Sequence, residues 1–276
     1  MLLVDAHVHI YDCFNLQTFL EAAYLNFKTH ADRFRHGDRF SGILLLAETS
    51  KDNRFHHLFR YQGGNDLLGD RPTDTWDFHR TAEAESLIAQ SDENRELFLI
   101  AGRQIVTAEG LEVLVLATTA TYSDGLPIKE FFESVRERNE IPVIPWGVGK
   151  WLGRRGKIVS AFVRAEAGKL FYLGDNSGRP FFWRRPINFK IAEDLNVPIL
   201  PGSDPLPFRS EQKRGGSYGF AVDTTINPLK PAECLRALLT TRHLEIRPFG
   251  RLERLHRFCI NQLRMQLRKR LAKAAC

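Results

Sequence analysis

Short apolar runs with the length of β-strands recur along this chain and alternate with stretches of helical periodicity. Residues 15–25, for example, carry apolar side chains at i, i+3, i+4 and i+7, with Asn15 in position to cap the helix. Strands that are apolar almost throughout and are separated by helices are typical of a mainly parallel sheet covered by helices. We therefore expect an α/β fold, which an open sheet and a closed barrel would satisfy equally. The predicted strands are 2–10, 41–47, 97–106, 111–118, 141–146, 169–173 and 197–200.

Two of these runs are joined without room for a helix. The segment RQIVTAEGLEVLVLA brings apolar residues together across Ala108, Glu109 and Gly110, which predicts a hairpin. A chain of 276 residues, 43% of them hydrophobic, is long enough to bury one large core. We expect residues 1–240 to form that unit and residues 241–276 to form a helical extension.

The composition excludes several classes of protein. No apolar run approaches the roughly 18 residues of a membrane span. The first ten residues lack the basic region of a secretory signal and run directly into a strand, so we expect a cytoplasmic protein. The first strand is followed neither by a GxGxxG fingerprint nor by a P-loop, which argues against a dinucleotide or nucleoside triphosphate site of those types.

The most specific local motif is the histidine pair at the end of the first strand, in VDAHVHIYD. Alternation along a strand places His7 and His9 on the same side, and neutral imidazoles suit Zn²⁺, Mn²⁺ or Fe²⁺. The same pair also arises by chance on a half-buried strand. Its position at a strand end, between Asp5 and Asp12, favours a metal site, and we include Asp12 among the candidate catalytic residues.

Carboxylates follow three further strands. A carboxylate at a strand end can bind a cation or accept a proton from metal-bound water, and it can equally be a helix cap or a turn residue. We prefer function for Asp204 because proline and glycine constrain the backbone of LPGSDPLP and no helix begins there to be capped. Asp204 is thus both a candidate ligand and a candidate catalytic group. The candidate metal ligands are His7, His9, Asp204, Glu48 and Asp175.

Cationic and amide side chains follow the later strands. Lys150 and Arg179 each come after a strand and next to glycine, and such residues bind phosphate or carboxylate groups. We assign both, with Asn176, to substrate binding. The glycine-rich segment 209–224 directly follows Asp204 and predicts a mobile flap over the site.

Together these elements resemble the PHP (polymerase and histidinol phosphatase) family and, more distantly, amidohydrolase-like metal-dependent hydrolases. DAHVHIYD is similar to the opening HxH motif of the family, AGRQIVTAEGLEVLVLA to its third-strand hairpin, and PGSDPLP to its closing Asp-x-His. The resemblance covers most of residues 1–240. It implies a distorted (β/α)7 TIM-like barrel, a cluster of up to three divalent metals, and phosphoester hydrolysis.

The chain departs from the family pattern at several expected ligand positions. Gln104 stands where the hairpin offers a glutamate, Trp146 where a histidine is expected, and Leu206 in place of the last histidine. Glu48 could substitute for an Asp-His pair after the second strand. Since only the two histidines and Asp204 match, we expect fewer ions than three.

The C-terminal segment Arg251–Lys273 is a basic amphipathic helix by its leucine spacing. Residues 251–276 contain eight Lys/Arg and one Glu, a net charge of +7, so the rest of the chain carries −1 of the total +6. Such a helix can lie on an anionic membrane, contact nucleic acid or dock on a protein. The alternative is a helix that packs its leucines on the body of the protein and exposes its arginines.

Two functional hypotheses follow. The first is a metal-dependent hydrolase that uses a divalent ion (Zn, Mn or Fe) to activate water against a phosphoester or another small anionic substrate. The second is a barrel that has lost catalysis and now binds a ligand or acts as a scaffold.

Overall fold

The computed structural model describes residues 1–61, 73–183, 185–241 and 244–274. Within these ranges the chain is a mixed α/β protein with twelve strands and seven α-helices. The strands are β1 (Leu2–Val8), β2 (Ser41–Leu46), β3 (Trp76–Arg80), β4 (Ser86–Ser91), β5 (Glu96–Ile100), β6 (Gly102–Val106), β7 (Glu112–Leu116), β8 (Ile141–Pro145), β9 (Tyr172–Asn176), β10 (Ile199–Gly202), β11 (Gly219–Val222) and β12 (Arg247–Phe249). The helices are α1 (Leu16–Arg33), α2 (Arg54–Arg60), α3 (Ile128–Glu137), α4 (Gly153–Glu166), α5 (Ile187–Asp194), α6 (Pro231–Thr240) and α7 (Leu255–Ala274).

The strands form two open sheets, so the predicted closed (β/α)7 barrel is wrong. The larger sheet has the order β12-β11-β1-β2-β5-β4-β3 and the smaller one β10-β9-β8-β7-β6. A strand has two hydrogen-bonding edges, and both edges of β1 are taken by β11 and β2, while both edges of β2 are taken by β1 and β5. The edge strands β10 and β6 of the smaller sheet therefore approach the larger sheet without a hydrogen-bonded ladder among the described residues.

The two sheets nevertheless come close at two points. Glu48, just after β2, forms an isolated bridge with Arg103 of β6. On the other side β10 lies against β1, and a Cβ atom on Gly202 would stand only 2.4 Å from the backbone nitrogen of His7. Only glycine permits this approach, which brings the ends of β1 and β10 together.

The predicted hairpin is confirmed. Strands β6 and β7 pair antiparallel, from Gly102 opposite Leu116 to Val106 opposite Glu112. Gly110 in the turn has a φ of +73°, in the left-handed region where glycine carries no steric penalty. The predicted mobile flap is not confirmed, because β11 lies within segment 209–224 and pairs with β1.

Three apolar clusters pack against the two sheets, one between them and one on each outer face. One fills the space between them and includes Val4, Leu45 and Leu116, with α6 closing one end. A second packs α1 on the outer face of the larger sheet. The third packs helices α3, α4 and α5 on the outer face of the smaller sheet. Helices thus cover both outer faces, as the apolar character of the strands predicted.

Helix α7 does not pack its leucines against the body of the protein, which was one of the two alternatives for it. Its leucines are exposed, with 66% of Leu263, 58% of Leu267 and 70% of Leu271 accessible, so the prediction that they pack on the body is wrong. Apolar and polar contacts hold the helix: Phe258 packs against the third apolar cluster, Asn261 is buried near Glu211, and Arg268 donates to the Pro207 carbonyl. Among the described helices none is long and apolar enough to cross a bilayer.

Candidate metal centre

An irregularity in β1 turns the histidine pair toward the space between the sheets. The pairing of β1 with β2 shifts register between Asp5 and Val8. Val4 belongs to the core between the sheets, whereas Leu3 and Val8 belong to the core under α1, so the alternation changes sense within the strand. His7 and His9 stand on the side opposite to Val8 and lie together, as their spacing predicted.

Three side chains converge at the carboxyl ends of β1 and β10. The Nε2 atoms of His7 and His9 are 3.1 Å apart, and Oδ1 of Asp204 lies 3.6 Å from the first and 3.7 Å from the second. Both histidines are buried, and Asp204 is the most exposed of the three. This is the one group of His, Cys, Asp and Glu side chains with metal-binding geometry in the described part of the chain.

Asp204 is held in place from two directions. Its backbone N–H donates to the carbonyl of His7 at 2.8 Å, in a left-handed conformation with φ of +46°. Asn176 at the end of β9 donates from Nδ2 to Oδ2 of Asp204 and to the carbonyl of Trp146, both at 2.8 Å. Oδ1 therefore remains directed at the two imidazoles.

A second carboxylate, Asp5, supports the site without facing it. Its side chain is fully buried and accepts three backbone N–H bonds: Oδ1 from Ser203 at 2.7 Å and from His7 at 3.3 Å, and Oδ2 from Gly216 at 2.8 Å. Asp5 thus ties the end of β1 to the residue before Asp204 and to the segment before β11.

Two of the three converging side chains, His9 and Asp204, line a cavity of about 370 Å³. Lys150 lines it, forms an ion pair with Glu112 and acts electrostatically on both His7 and Asp204. Gln104 lies against both imidazoles, and its Oε1 is buried without a hydrogen-bond partner among the described atoms. Trp146 and Leu206 also line the wall, at the positions where the resemblance expects metal-binding histidines.

Burial governs the protonation of the site. It lowers the pKa of both His7 and His9 to about 4, so the imidazoles are neutral at physiological pH and their lone pairs are available to a metal. Burial raises the pKa of Asp204, while the nearby His9 and Lys150 act in the opposite direction. Burial likewise raises the pKa of Asp5 to about 7, against the effect of its backbone donors.

Some of the cavity wall was not predicted from the sequence. Tyr11 stacks on His9 with ring centroids 5.3 Å apart, and the alternation of HVHIY could have indicated it. Glu112 lines the wall at the start of β7. The inner face of α7 contributes the largest unpredicted part of the cavity wall, and no local signal in the sequence connects this helix to the site. The lining residues of α7 are Phe258, Asn261, Gln262, Met265 and Gln266.

Other predicted site residues lie elsewhere. Glu48 is buried, accepts the backbone N–H of Phe55 and lines a separate cavity with Arg103. Asp175 and Arg179 form a buried two-point ion pair with nitrogen–oxygen distances of 2.6 and 2.7 Å, and Tyr218 also donates to Asp175. Asp12 is exposed and paired with Arg54. The structure brings none of these four predicted residues to the His–His–Asp group, whereas it does bring Lys150 and Asn176 there.

The donor set fits a divalent transition metal. Two ligands of a tetrahedral ion, each about 2.0–2.2 Å from it, are about 3.3–3.6 Å apart. The three separations of 3.1, 3.6 and 3.7 Å lie close to that range. The unpartnered Oε1 of Gln104 is a further neutral oxygen beside the group. His7, His9 and Asp204 could therefore hold one ion.

Comparison with known proteins supports the fold. No protein-family model and no curated protein sequence matches the chain. The crystal structure of PsfC from Pseudomonas syringae PB-5123 aligns with 96% of this chain and 97% of its own, with a TM-score of 0.55 and 13% identity. PsfC has a PHP-type structure, so the likeness supports a PHP-like fold. At this identity it concerns the fold alone.

Two weaker likenesses are to endonuclease structures. The lesion-specific endonuclease PfuEndoQ from Pyrococcus furiosus has a TM-score of 0.47 at 12% identity, over 88% of this chain and 57% of that chain. Endonuclease Q bound to a 27-mer duplex with an abasic lesion has a TM-score of 0.45 at 12% identity, over 86% and 56% of the two chains. At TM-scores below 0.5 we draw nothing about this chain from these two structures.

Proposed function

We propose that this chain is a divalent-metal-dependent hydrolase that acts on a small anionic ester, most simply a phosphoester. One observation carries the proposal: the ligand atoms of His7, His9 and Asp204 converge, and His9 and Asp204 line a cavity that also contains the cationic Lys150. A metal site and an ammonium group on one cavity wall are the elements that binding and hydrolysis of an anionic ester require.

The residues of the site divide into three roles. His7, His9 and Asp204 would hold the ion, which when bound supplies Lewis acidity and a water of lowered pKa. Lys150 binds the anionic group of the substrate, and Glu112 positions its ammonium. Asn176 orients Asp204 so that Oδ1 faces the histidines while Oδ2 accepts a hydrogen bond from the amide. Of the predicted catalytic groups, Asp204 is the one that faces the cavity.

The test combines metal analysis with a substrate panel. Purified protein is expected to contain about one divalent ion per chain and to hydrolyse at least one small phosphomonoester or phosphodiester. In His7→Ala/His9→Ala both the bound metal and the hydrolysis should fall by about a hundredfold or more, because two of three ligands are lost. The exposed His79 offers a matched control, and His79→Ala should change neither. Hydrolysis that persists in the double variant would refute the proposal.

A second candidate is a protein that binds an anionic ligand without turning it over. The cavity wall favours it. Gln104 presents an amide rather than a carboxylate. Glu112, the carboxylate of the wall other than Asp204, is already paired with Lys150. This candidate predicts metal binding and thermal stabilisation by orthophosphate with no hydrolysis across the panel. The same panel therefore separates the two functions.

A further inference from the structure

The outer face of α7 carries an apolar stripe without a partner in the described structure. Ile260, Leu263, Leu267 and Leu271 follow one another at intervals of three and four residues, which places them along one side of the helix. Each is more than half exposed. Leu255 in the first turn is also 50% exposed, but its five-residue spacing from Ile260 places it on another side of the helix. A stripe of this length is unusual on the surface of a soluble monomer and indicates an interaction site.

The same helix is strongly cationic. Between Leu255 and Ala274 it contains six Lys/Arg and no Asp or Glu. Arg264 and Arg268 lie beside the stripe and are exposed, although each also contacts the body: Arg264 stacks over Phe208 at 4.1 Å and Arg268 donates to the Pro207 carbonyl. The charge is therefore held next to the apolar side chains.

The inner face fixes the orientation of the helix. Arg257 pairs with Glu211 at 3.2 Å, Asn261 is buried against the same carboxylate, and Met265 lines the cavity. Because these contacts hold the inner face to the protein, the leucine stripe must face outward. Rotation of the helix to bury its leucines against the body would require these polar contacts to break.

Two aromatic side chains are also exposed near the first turn of α7, beside its inner face rather than its leucine stripe. Phe181 and Phe182 are each 55% exposed, and the ring of Phe182 lies 6.4 Å from that of Phe258 in the first turn of α7. Aromatic and leucine side chains beside Lys and Arg are the composition of helices that lie in a membrane interface.

We propose that the outer face of α7 docks on an anionic lipid bilayer, with the leucine stripe entering the interface and the arginines contacting acidic headgroups. Charge decides between the possible occupants. A second copy of the chain would bring together two helix faces that carry Arg264, Arg268 and Arg270 beside the stripe and have no acidic residue of the helix to pair them. A nucleic acid would satisfy the cations but leave the leucines uncovered. An anionic bilayer satisfies both.

The test is co-sedimentation of the full chain with vesicles of phosphatidylcholine alone and with vesicles that also contain phosphatidylglycerol. We expect binding to the anionic vesicles that weakens as salt is added, and little binding to the neutral ones. Leu263→Gln/Leu267→Gln should reduce the partition more than about tenfold, because both side chains leave water on binding. The equally exposed Leu229 provides the control, and Leu229→Gln should bind as the unmodified chain does.

Several outcomes would overturn the proposal. These are no binding to anionic vesicles at low salt, equal binding by the double variant, or a dimer in light scattering that the double variant abolishes. Binding to duplex DNA with unchanged vesicle partition in the double variant would assign the face to nucleic acid instead. Since every variant changes exposed residues, circular dichroism should show a folded protein throughout.

Discussion

At the scale of single residues, Asp5 does most to assemble the candidate metal centre although it does not belong to it. Its Oδ1 accepts backbone N–H bonds from His7 and from Ser203, the residue before Asp204, and its Oδ2 accepts one from Gly216. A buried carboxylate with three backbone donors is replaced poorly by any other side chain, because an isosteric amide presents a donor where an acceptor is needed.

Asp5→Asn should therefore destabilise the protein by about 1–3 kcal/mol and weaken metal binding, since one group of N–H donors loses its acceptor. Urea unfolding measures the first effect and calorimetric titration with Mn²⁺ or Zn²⁺ the second. Asp12→Asn is the control: Asp12 is exposed and its ion pair with Arg54 lies at the surface, so neither quantity should change appreciably. A stable Asp5→Asn protein with unchanged metal affinity would contradict the positioning role.

The histidine pair predicts a pH dependence of stability in the metal-free protein. Burial lowers the pKa of both side chains to about 4, whereas in the unfolded chain they titrate near 6.5. Between pH 4 and pH 6.5 the unfolded state binds more protons than the folded state. The contribution of the two neutral histidines to the free energy of unfolding is therefore present above pH 6.5 and is lost as the pH falls toward 4.

Burial raises the pKa of Asp5 and Asp204, so these two carboxyl groups make the free energy of unfolding rise as the pH falls through part of this range. The effect of the histidines is therefore measured as the difference between the unmodified chain and a variant without them. With a chelator present, the free energy of unfolding of the unmodified chain relative to His7→Asn/His9→Asn should decrease by on the order of a few kcal/mol from pH 7 to pH 4. A difference that stays constant across this range would show that the histidines are not buried in their neutral form.

At the scale of elements, the close approach of β10 to β1 forms the site. Gly202 lies against the backbone of His7, and two residues later the chain delivers Asp204. This contact takes the place of the hydrogen-bonded ladder that a closed barrel would have at this position, and it depends on the absence of a side chain.

Gly202→Ala should push β10 away from β1, because its Cβ would meet backbone and Cβ atoms of His7 at 2.4 and 2.6 Å, which cannot move aside as a flexible side chain would. We expect destabilisation of about 1–3 kcal/mol together with a loss of metal affinity. Gly37→Ala is a useful comparison, since Gly37 has a φ of +57° and open space around it. It should lower stability without changing metal binding, and equal metal affinity in the two variants would contradict the role of Gly202.

Helix α7 has two faces with different surroundings. Its inner face closes the cavity with Phe258, Gln262 and Met265, and its outer face carries the exposed leucines. Leucine spacing in the sequence shows that an apolar stripe exists, and the tertiary structure shows on which side it lies. The polar contacts of Arg257 and Asn261 with Glu211 decide the orientation, and such contacts leave no periodic pattern in the sequence.

At the scale of the whole molecule, the candidate centre lies at the junction of the two sheets. The histidines come from the larger sheet, whereas Asp204, Asn176 and Gln104 come from the smaller sheet or the residues that follow it. Neither sheet alone contains the site. The hairpin and the seven apolar runs could be predicted, because they depend on local periodicity and turn residues. Strands β3, β4, β11 and β12 were not predicted, and the predicted strand 97–106 is divided between β5 of the larger sheet and β6 of the smaller one. The number of sheets could not be predicted, because it depends on which strand edges are occupied.

The sequence by itself determined the apolar strands, the i, i+2 spacing that brings His7 and His9 together, and the turn at Gly110. Each of these depends on residues that are close in the chain, so backbone geometry is sufficient to predict it. Only the tertiary structure decided that Asp204 joins the histidines while Glu48 and Asp175 enter other contacts. The hydrogen bond from Ser203 to Asp5 spans 198 residues, and contacts of that range are selected by the packing of the entire fold rather than by any local pattern.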